Sequence, residues 1–353
     1  MLTSRGLKTR TDGGTVSRRF FRRFRKLALF VLIQGLVVVL LLEVVGRIAD
    51  PFGISFYPES ARYFDTLIIE EPIGYRNRPG LVGQYWGAPV SVNALGMRDR
   101  EVGPKTEGEM RVLAMGDSVP FGLGVTYEDS IPFRLEQLLN ASRPGTRYRT
   151  LNMGVPSYNT EQELIQFESV GLSLEPDVVF LLFTFNDVEE KMWVLDKRKS
   201  PIVNMSQRSY AACLLAVLHR KVRQALGGTD SRGVAPEKFT PSHPSWMAVD
   251  RALTRINRLC REAAIPFVLF THFGEVGHPA FGMLSTIGER EGFSVISVNP
   301  FDDPRWAGEN RFEFQNSVVD SHPNPEGSKL FATMIFEGLE RAGVLSSGNV
   351  ATE

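Results

Sequence analysis

The chain has 353 residues, and its 40 basic and 40 acidic side chains give a formal charge of zero at pH 7. This balance argues against a nucleic-acid-binding surface. The only cysteines are Cys213 and Cys260, too few for a disulfide-rich scaffold, and no Cys/His cluster suggests zinc. The two cysteines can form one disulfide or remain separate thiols on helical segments, and the second alternative is favoured.

A basic leader, residues 1–26, has nine Lys and Arg residues against a single acid, Asp12. Residues 27–46 follow and are apolar apart from Gln34, Gly35, Glu43 and Gly46, and about 20 such residues of helix cross a bilayer core. We place Glu43 near the outer interface because a carboxylate is costly at mid-bilayer. The basic flank predicts a cytoplasmic N-terminus and export of everything after residue 50.

Three interpretations of this segment compete, and an uncleaved anchor with one span is favoured. A cleaved signal peptide is the second, but no A-x-A-like site follows the apolar core. The third is a twin-arginine export signal, which residues 17–22 resemble, although the apolar core is long for a cleaved signal.

Residues 51–108 are rich in Gly, Pro and aromatic residues and predict an irregular, β-rich lead-in, with a short strand over 90–93. Residues 109–345 alternate apolar runs with amphipathic segments. Strands are predicted over 112–115, 148–152, 178–183, 265–270 and 293–298, and helices over 131–139, 160–170, 248–264 and 325–342. Thr160 is the predicted cap of its helix, with Glu163 three residues on. The order predicts an α/β fold: a parallel sheet with helices on both faces.

An insertion at about residues 191–247 interrupts this pattern, with a helix over 210–226. We expect either a cap near the site or a solvated loop with one packed helix. The tail, 346–353, is predicted to be disordered.

Ser118 is the candidate nucleophile, since Gly116-Asp117-Ser118 ends the first buried strand. His322 is the candidate base, because a neutral imidazole accepts a proton near neutral pH. Asp320 can hold its other ring nitrogen. The oxyanion donors would be the Ser118 and Gly154 backbone N–H groups and the Asn186 amide. Each residue also suits an ordinary turn or cap, but Ser118, Gly154 and Asn186 all follow strands and so converge on one sheet edge.

These segments resemble the four blocks of the SGNH, or GDSL-type, hydrolase superfamily, over about residues 111–343. The resemblance implies an SGNH-hydrolase-like, flavodoxin-like three-layer fold and a triad of Ser118, His322 and Asp320. It also implies an oxyanion hole of Ser118, Gly154 and Asn186. Residues 92–98 and the preceding span are similar to membrane-anchored bacterial members, which implies the bacterial inner membrane with an exported catalytic domain.

Two positions depart from the family pattern. Thr184 stands where the family commonly has glycine, and Val319 stands where it usually has the aspartate. Asp320 sits one residue closer to the histidine, as in alginate O-acetyltransferase-type relatives, which favours acyl transfer to a sugar. His272 is a weaker second base.

The sequence therefore predicts a membrane-anchored, exported serine esterase acting on small O-acyl groups of a small molecule or saccharide, without metal or organic cofactor. The alternatives are an O-acetyltransferase of cell-envelope or secreted polysaccharide and a non-catalytic glycan-binding scaffold.

Overall fold

The computed structural model describes residues 13–50, 52–197, 199–225, 236–275, 278–306 and 308–345. The predicted tail and the first twelve residues of the leader lie outside these ranges. Helix α1 (Gly13–Ala49) contains the predicted apolar segment. Its part Phe21–Ala49 contains an 18-residue window with a mean hydropathy of 2.8 and is long and apolar enough to span a membrane.

The lead-in contains a helix that the sequence did not predict, α2 (Phe56–Phe64). Pro58 lies in its first turn, where proline is tolerated, and Ala61 and Tyr63 form its buried side. Two antiparallel pairs follow, β1 (Ile68–Glu70) with β2 (Gly74–Arg76) and β3 (Val82–Tyr85) with β4 (Ala88–Ser91). Strand β4 overlaps the strand predicted over 90–93 but begins and ends two residues earlier.

The main domain follows the predicted alternation. Its strands are β5 (Glu109–Gly116), β6 (Arg147–Asn152), β7 (Val178–Phe183), β8 (Phe267–Thr271) and β9 (Ser294–Ser297). Its helices are α3 (Ser118–Phe121), α4 (Ile131–Ser142), α5 (Thr160–Ser169), α6 (Trp193–Lys197), α7 (Pro201–Gln207), α8 (Tyr210–Ala225), α9 (Pro244–Glu262), α10 (Pro279–Glu291) and α11 (Pro325–Arg341).

The five strands of the main domain form one parallel sheet in the order β6-β5-β7-β8-β9. Every residue of the central strand β7 is buried, as its continuous apolar run predicts. Alternate side chains of the strands pack on opposite faces. One face is covered by α5, α9 and α10, and the other by α4 and α11. The predicted fold class is confirmed.

Three local details differ from the expectation or complete it. Asn159, not Thr160, caps α5. The Asn159 side chain accepts the Gln162 backbone N–H, and the Gln162 side chain accepts the Asn159 backbone N–H. The insertion forms α6, α7 and α8, and Val217 of α8 packs in a buried cluster with Val319. Cys213 and Cys260 are both buried, and no disulfide joins them.

Candidate active site

The chain leaves the sheet at three neighbouring strand ends to form one rim. Ser118 begins α3 just after β5, Gly154 follows β6, and Asn186 follows β7. In a parallel sheet of order 2-1-3-4-5 the ligand crevice lies where the chain reverses direction along the sheet, here between β5 and β7. Gly116 has a φ of +145°, and a Cβ there would lie 2.7 Å from Pro120, so glycine permits the turn that presents Ser118.

Ser118, His322 and Asp320 form a continuous hydrogen-bonded chain. The Ser118 Oγ lies 2.7 Å from His322 Nε2, and His322 Nδ1 lies 2.5 Å from Asp320 Oδ1. Ser118 and Asp320 are 9 % and 5 % exposed. With Nδ1–H donating to Asp320, the Nε2 lone pair faces the serine hydroxyl, which is the tautomer that a general base requires.

The loop before α11 fixes Asp320 through a set of short-range bonds. Its carboxylate accepts the His322 backbone N–H at 3.1 Å and the Asn316 side-chain amide at 3.1 Å. The Ser317 hydroxyl accepts the N–H of Asp320 at 3.1 Å. Asn324 caps α11 and closes the loop. The shorter aspartate-to-histidine spacing therefore still places the carboxylate against the imidazole.

The electrostatic surroundings of His322 favour its protonated form. Burial lowers the pKa of His322, but the nearby Asp320 and the Asp117 carboxylate together outweigh it, so the pKa is raised above its ordinary value. An imidazole with a raised pKa is a stronger base toward the serine proton and stabilises the cation formed when it accepts that proton.

The three predicted oxyanion donors differ in availability. The Ser118 backbone N–H makes no hydrogen bond with any described residue. The Asn186 amide donates one hydrogen to the Tyr158 carbonyl at 2.8 Å and also hydrogen-bonds to the Asp117 carboxylate. The Gly154 N–H instead donates to Asn152 Oδ1 at 2.9 Å. The oxyanion role of Gly154 stays a prediction. The need for glycine is steric, since a Cβ would lie 2.3 Å from the Phe121 backbone nitrogen.

Thr184, the residue that departs from the family pattern, links the serine turn to Asn186. Its hydroxyl lies 2.7 Å from Asp117 Oδ2 and 2.6 Å from Asn186 Oδ1, and its single hydrogen can be donated to either oxygen. Asp117 also accepts the Val119 N–H at 2.9 Å. Sequence alone does not predict this bridge, because Asp117 and Thr184 are 67 positions apart along the chain.

A pair of buried acids supports this loop from behind. Asp187 accepts the Thr160 hydroxyl at 2.8 Å and the Thr184 N–H at 2.6 Å. Glu163 is buried against Asp187, and no hydrogen-bond donor of the described residues reaches its carboxyl oxygens. Burial and the neighbouring Asp187 therefore raise the pKa of Glu163 well above its ordinary value. The raised pKa favours the neutral carboxyl form of Glu163, and Asp187 is the neighbouring acceptor for its O–H group.

Arg98, at the end of the lead-in segment 92–98, connects the lead-in to the turn that follows Ser118. It is 1 % exposed, and its guanidinium donates to the carbonyls of Phe121 (3.0 Å), Gly122 and Val125 (2.6 Å). The lead-in is thus part of the support of the site. A buried arginine with carbonyl partners has no local sequence signature.

An open cavity of about 430 Å³ is lined in part by Asp320, while Ser118 and His322 are not among its lining residues. Asp320, Asn316 and Ser317 line one side, and the lead-in lines the other with residues that include Phe56 and Trp86. The Phe56 ring centroid lies 5.8 Å from that of His322. Polar groups beside aromatic rings suit a small, partly polar substrate.

The other histidines are not joined to this hydrogen-bonded chain. His272 contacts Phe185 and Phe273, and burial lowers its pKa to about 4, so it is a poor base. His243 and His278 cap α9 and α10. Among the described residues, no group of three His, Cys, Asp or Glu side chains is arranged to hold a metal ion.

Comparison with known proteins decides the family. Residues 114–330, well over half of the chain, match the model of the GDSL-like lipase/acylhydrolase family. The chain belongs to this family. As a GDSL-like acylhydrolase it is an enzyme of the SGNH type that acts on ester bonds, and the predicted resemblance is confirmed. No curated protein matches the sequence at a significant level.

Solved structures resemble this GDSL-like chain only distantly. LAE5, an alpha/beta hydrolase from the metagenome of Lake Arreo, Spain, is 18 % identical, with a TM-score of 0.42 over 67 % of this chain and 97 % of its own. The esterase EstA from Pseudoalteromonas sp. is 14 % identical, with a TM-score of 0.39 over 65 % and 97 %. The acetyl xylan esterase AlAXEase is 16 % identical, with a TM-score of 0.41 over 65 % and 100 %. Identities this low say nothing about the substrate.

Proposed function

We propose that this chain is a membrane-anchored, exported serine esterase that cleaves or transfers small O-acyl groups through an acyl-serine intermediate. The observation that carries the proposal is the hydrogen-bonded chain from Ser118 Oγ through His322 to Asp320, with steps of 2.7 and 2.5 Å. The Asp320 end of this hydrogen-bonded chain lines an open cavity of about 430 Å³, a volume that suits a small ester.

The reaction follows from this geometry in two halves. His322 Nε2 takes the hydroxyl proton as Ser118 Oγ attacks the ester carbonyl carbon. The Ser118 N–H and the Asn186 amide donate to the oxyanion of the tetrahedral intermediate, which collapses as His322 protonates the leaving alcohol. In the second half, water or another hydroxyl gives its proton to His322 and attacks the carbonyl carbon of the acyl-serine. The bond to Ser118 Oγ then breaks, His322 returns the proton to that oxygen, and the acid or a new ester is released.

The nucleophile is tested by replacing Ser118 with alanine. We expect Ser118→Ala to lose about 10⁴-fold or more in kcat toward p-nitrophenyl acetate, because the remaining groups cannot form the acyl-enzyme. Ser321→Ala is the matched control, an exposed serine next to His322, and it should retain activity. A fluorophosphonate probe should form its adduct on Ser118. Wild-type turnover by Ser118→Ala would refute the assignment.

An O-acetyltransferase of cell-envelope polysaccharide is the second candidate, favoured by the short spacing between Asp320 and His322. The two candidates differ only in the second half-reaction, where an acceptor hydroxyl replaces water. Transfer from an activated acetyl donor to an oligosaccharide in excess of hydrolysis would decide for the transferase. Failure of the probe to label Ser118 would instead favour a non-catalytic, glycan-binding role.

The membrane location is part of the same proposal. The helix Phe21–Ala49 is long and apolar enough to span a bilayer. The basic residues before it favour a cytoplasmic N-terminus at the bacterial inner membrane and an exported catalytic domain. The favoured form keeps this helix as a single uncleaved span.

A further inference from the structure

Helix α8 of the insertion has apolar side chains on two opposite faces. Cys213 and Val217 are buried and pack with Ile54 and Val319. On the other side lies a stripe that we call the outer stripe, Leu215, Leu218 and Val222, whose residues are 53 %, 57 % and 50 % exposed. Their spacing of three and four residues puts them on one helix face. Within the described ranges, the first face is covered and the outer stripe stays exposed.

The start of α8 is fastened to the outer end of α1. The Glu43 carboxylate accepts the Ser209 hydroxyl at 2.9 Å and the Ala211 N–H at 3.0 Å. The Arg47 guanidinium lies 5.1 Å from the centre of the Tyr210 ring. At Gly46 a Cβ would lie 2.8 Å from the Tyr210 Cβ, so glycine permits this close approach. The polar Glu43 in an otherwise apolar segment thus has a partner.

These contacts fix the position of α8 relative to the proposed membrane surface. Glu43 and Arg47 mark the outer end of the apolar segment, so α8 begins where the proposed span leaves the bilayer. The outer stripe extends over eight residues, and its first and last Cα atoms are about 10 Å apart along the helix. Lys221 and Arg223 are exposed on the same helix and could meet anionic headgroups. An apolar face with basic neighbours is typical of helices that lie in the membrane interface.

We infer that α8 lies on the outer surface of the membrane with the outer stripe in the lipid boundary, which rests on the proposed span of α1. Because α8 begins beside the outer end of the proposed span, the bilayer is the nearest apolar environment for the outer stripe. Since Val217 packs with Val319, the neighbour of Asp320, this second membrane contact also holds the candidate catalytic loop close to the bilayer.

The test uses the full chain in vesicles of phosphatidylethanolamine and phosphatidylglycerol. One extra cysteine per variant carries an environment-sensitive fluorophore. The positions are Leu218 in the outer stripe, Leu36 in α1, and the 46 % exposed Met247 on α9. Wild type treated with the same reagent corrects for the buried native cysteines. Lipids with nitroxide groups then quench any label that lies in the bilayer.

We expect the Leu218 and Leu36 labels to lose fluorescence to nitroxide lipids while the Met247 label keeps it. A Leu218 label that behaves like the Met247 label, with the Leu36 label quenched, overturns the inference and leaves the anchor intact. Cross-linking between Leu218→Cys copies without lipid quenching also overturns it and assigns the outer stripe to a second copy.

The outcome is separable from that of the proposed function. An unquenched Leu36 label would refute the anchor and the inference together. A failure of wild-type Ser118 to react with the fluorophosphonate probe would refute the esterase proposal and leave the quenching result standing. Each labelled variant should react with the probe as wild type does, which shows that the substitution left the fold intact.

Discussion

Thr184 occupies a position where the family commonly has glycine, and its hydroxyl bridges Asp117 and Asn186. We expect Thr184→Val, which keeps the shape but removes the hydroxyl, to cost about 1.5–3 kcal/mol of transition-state stabilisation, because a buried carboxylate loses a donor. This corresponds to a fall in kcat of roughly 10- to 100-fold, with KM little changed.

Thr184→Ser is the matched control, since it retains the hydroxyl and should restore most of kcat. Steady-state kinetics on p-nitrophenyl acetate and thermal melts of both variants separate positioning from folding. A Thr184→Val variant with wild-type kcat would show that the bridge does not orient Asn186 for the reaction.

The pH dependence of activity reports on His322. The base must be neutral, so activity is present above the pKa of His322 and is lost as pH falls through it. Because Asp320 and Asp117 raise this pKa, the acid limb of kcat/KM should lie above the ordinary histidine value of about 6.5. His278→Gln, which alters a helix cap, should leave the limb in place. A limb below the ordinary value would contradict the predicted environment of His322.

At the scale of elements, α5 and the loop after β7 are joined by the buried pair of Glu163 and Asp187. The pKa of Glu163 is raised in the folded state, so the fold binds a proton that the unfolded chain releases above about 4.5. Stability from this group is present at low pH and is lost as pH rises toward the folded pKa. The melting temperature should therefore decrease from mildly acidic to alkaline pH.

Glu163→Gln keeps a neutral donor for Asp187 but cannot ionise. Its melting temperature should fall less with rising pH than that of wild type, while Glu161→Gln on the same helix, whose side chain is not buried, should follow wild type. Calorimetry across this pH range makes the comparison. Parallel curves for wild type and Glu163→Gln would show that Glu163 holds no proton in the fold.

At the scale of the whole molecule, α1 is the proposed membrane anchor. The full chain expressed in a bacterium should remain in the membrane after an alkaline carbonate wash, and its intact mass should include the basic leader. Leu36→Arg should reduce this retention, since an arginine at mid-bilayer costs about 2.5–3.5 kcal/mol. A soluble product that lacks residues 1–46 would instead establish a cleaved signal.

Local sequence determined the periodic elements of this protein and the residue types of its site. The continuous apolar run of β7, the Gly116-Asp117-Ser118 turn and the apolar segment within α1 are all visible in short windows, because burial on a strand or in a bilayer sets the pattern residue by residue. The family blocks added the pairing of Ser118 with His322, although these residues are 204 positions apart.

Only the tertiary structure decided the contacts between distant segments. Each of four contacts joins separate parts of the chain: the Thr184 bridge to Asp117, the burial of Glu163 beside Asp187, the bonds of Arg98 to backbone carbonyls, and the bonds of Glu43 to the start of α8. Each partner alone suits a turn, a cap or a surface. Its role depends on burial and on the neighbour that the fold supplies, and neither has a local pattern.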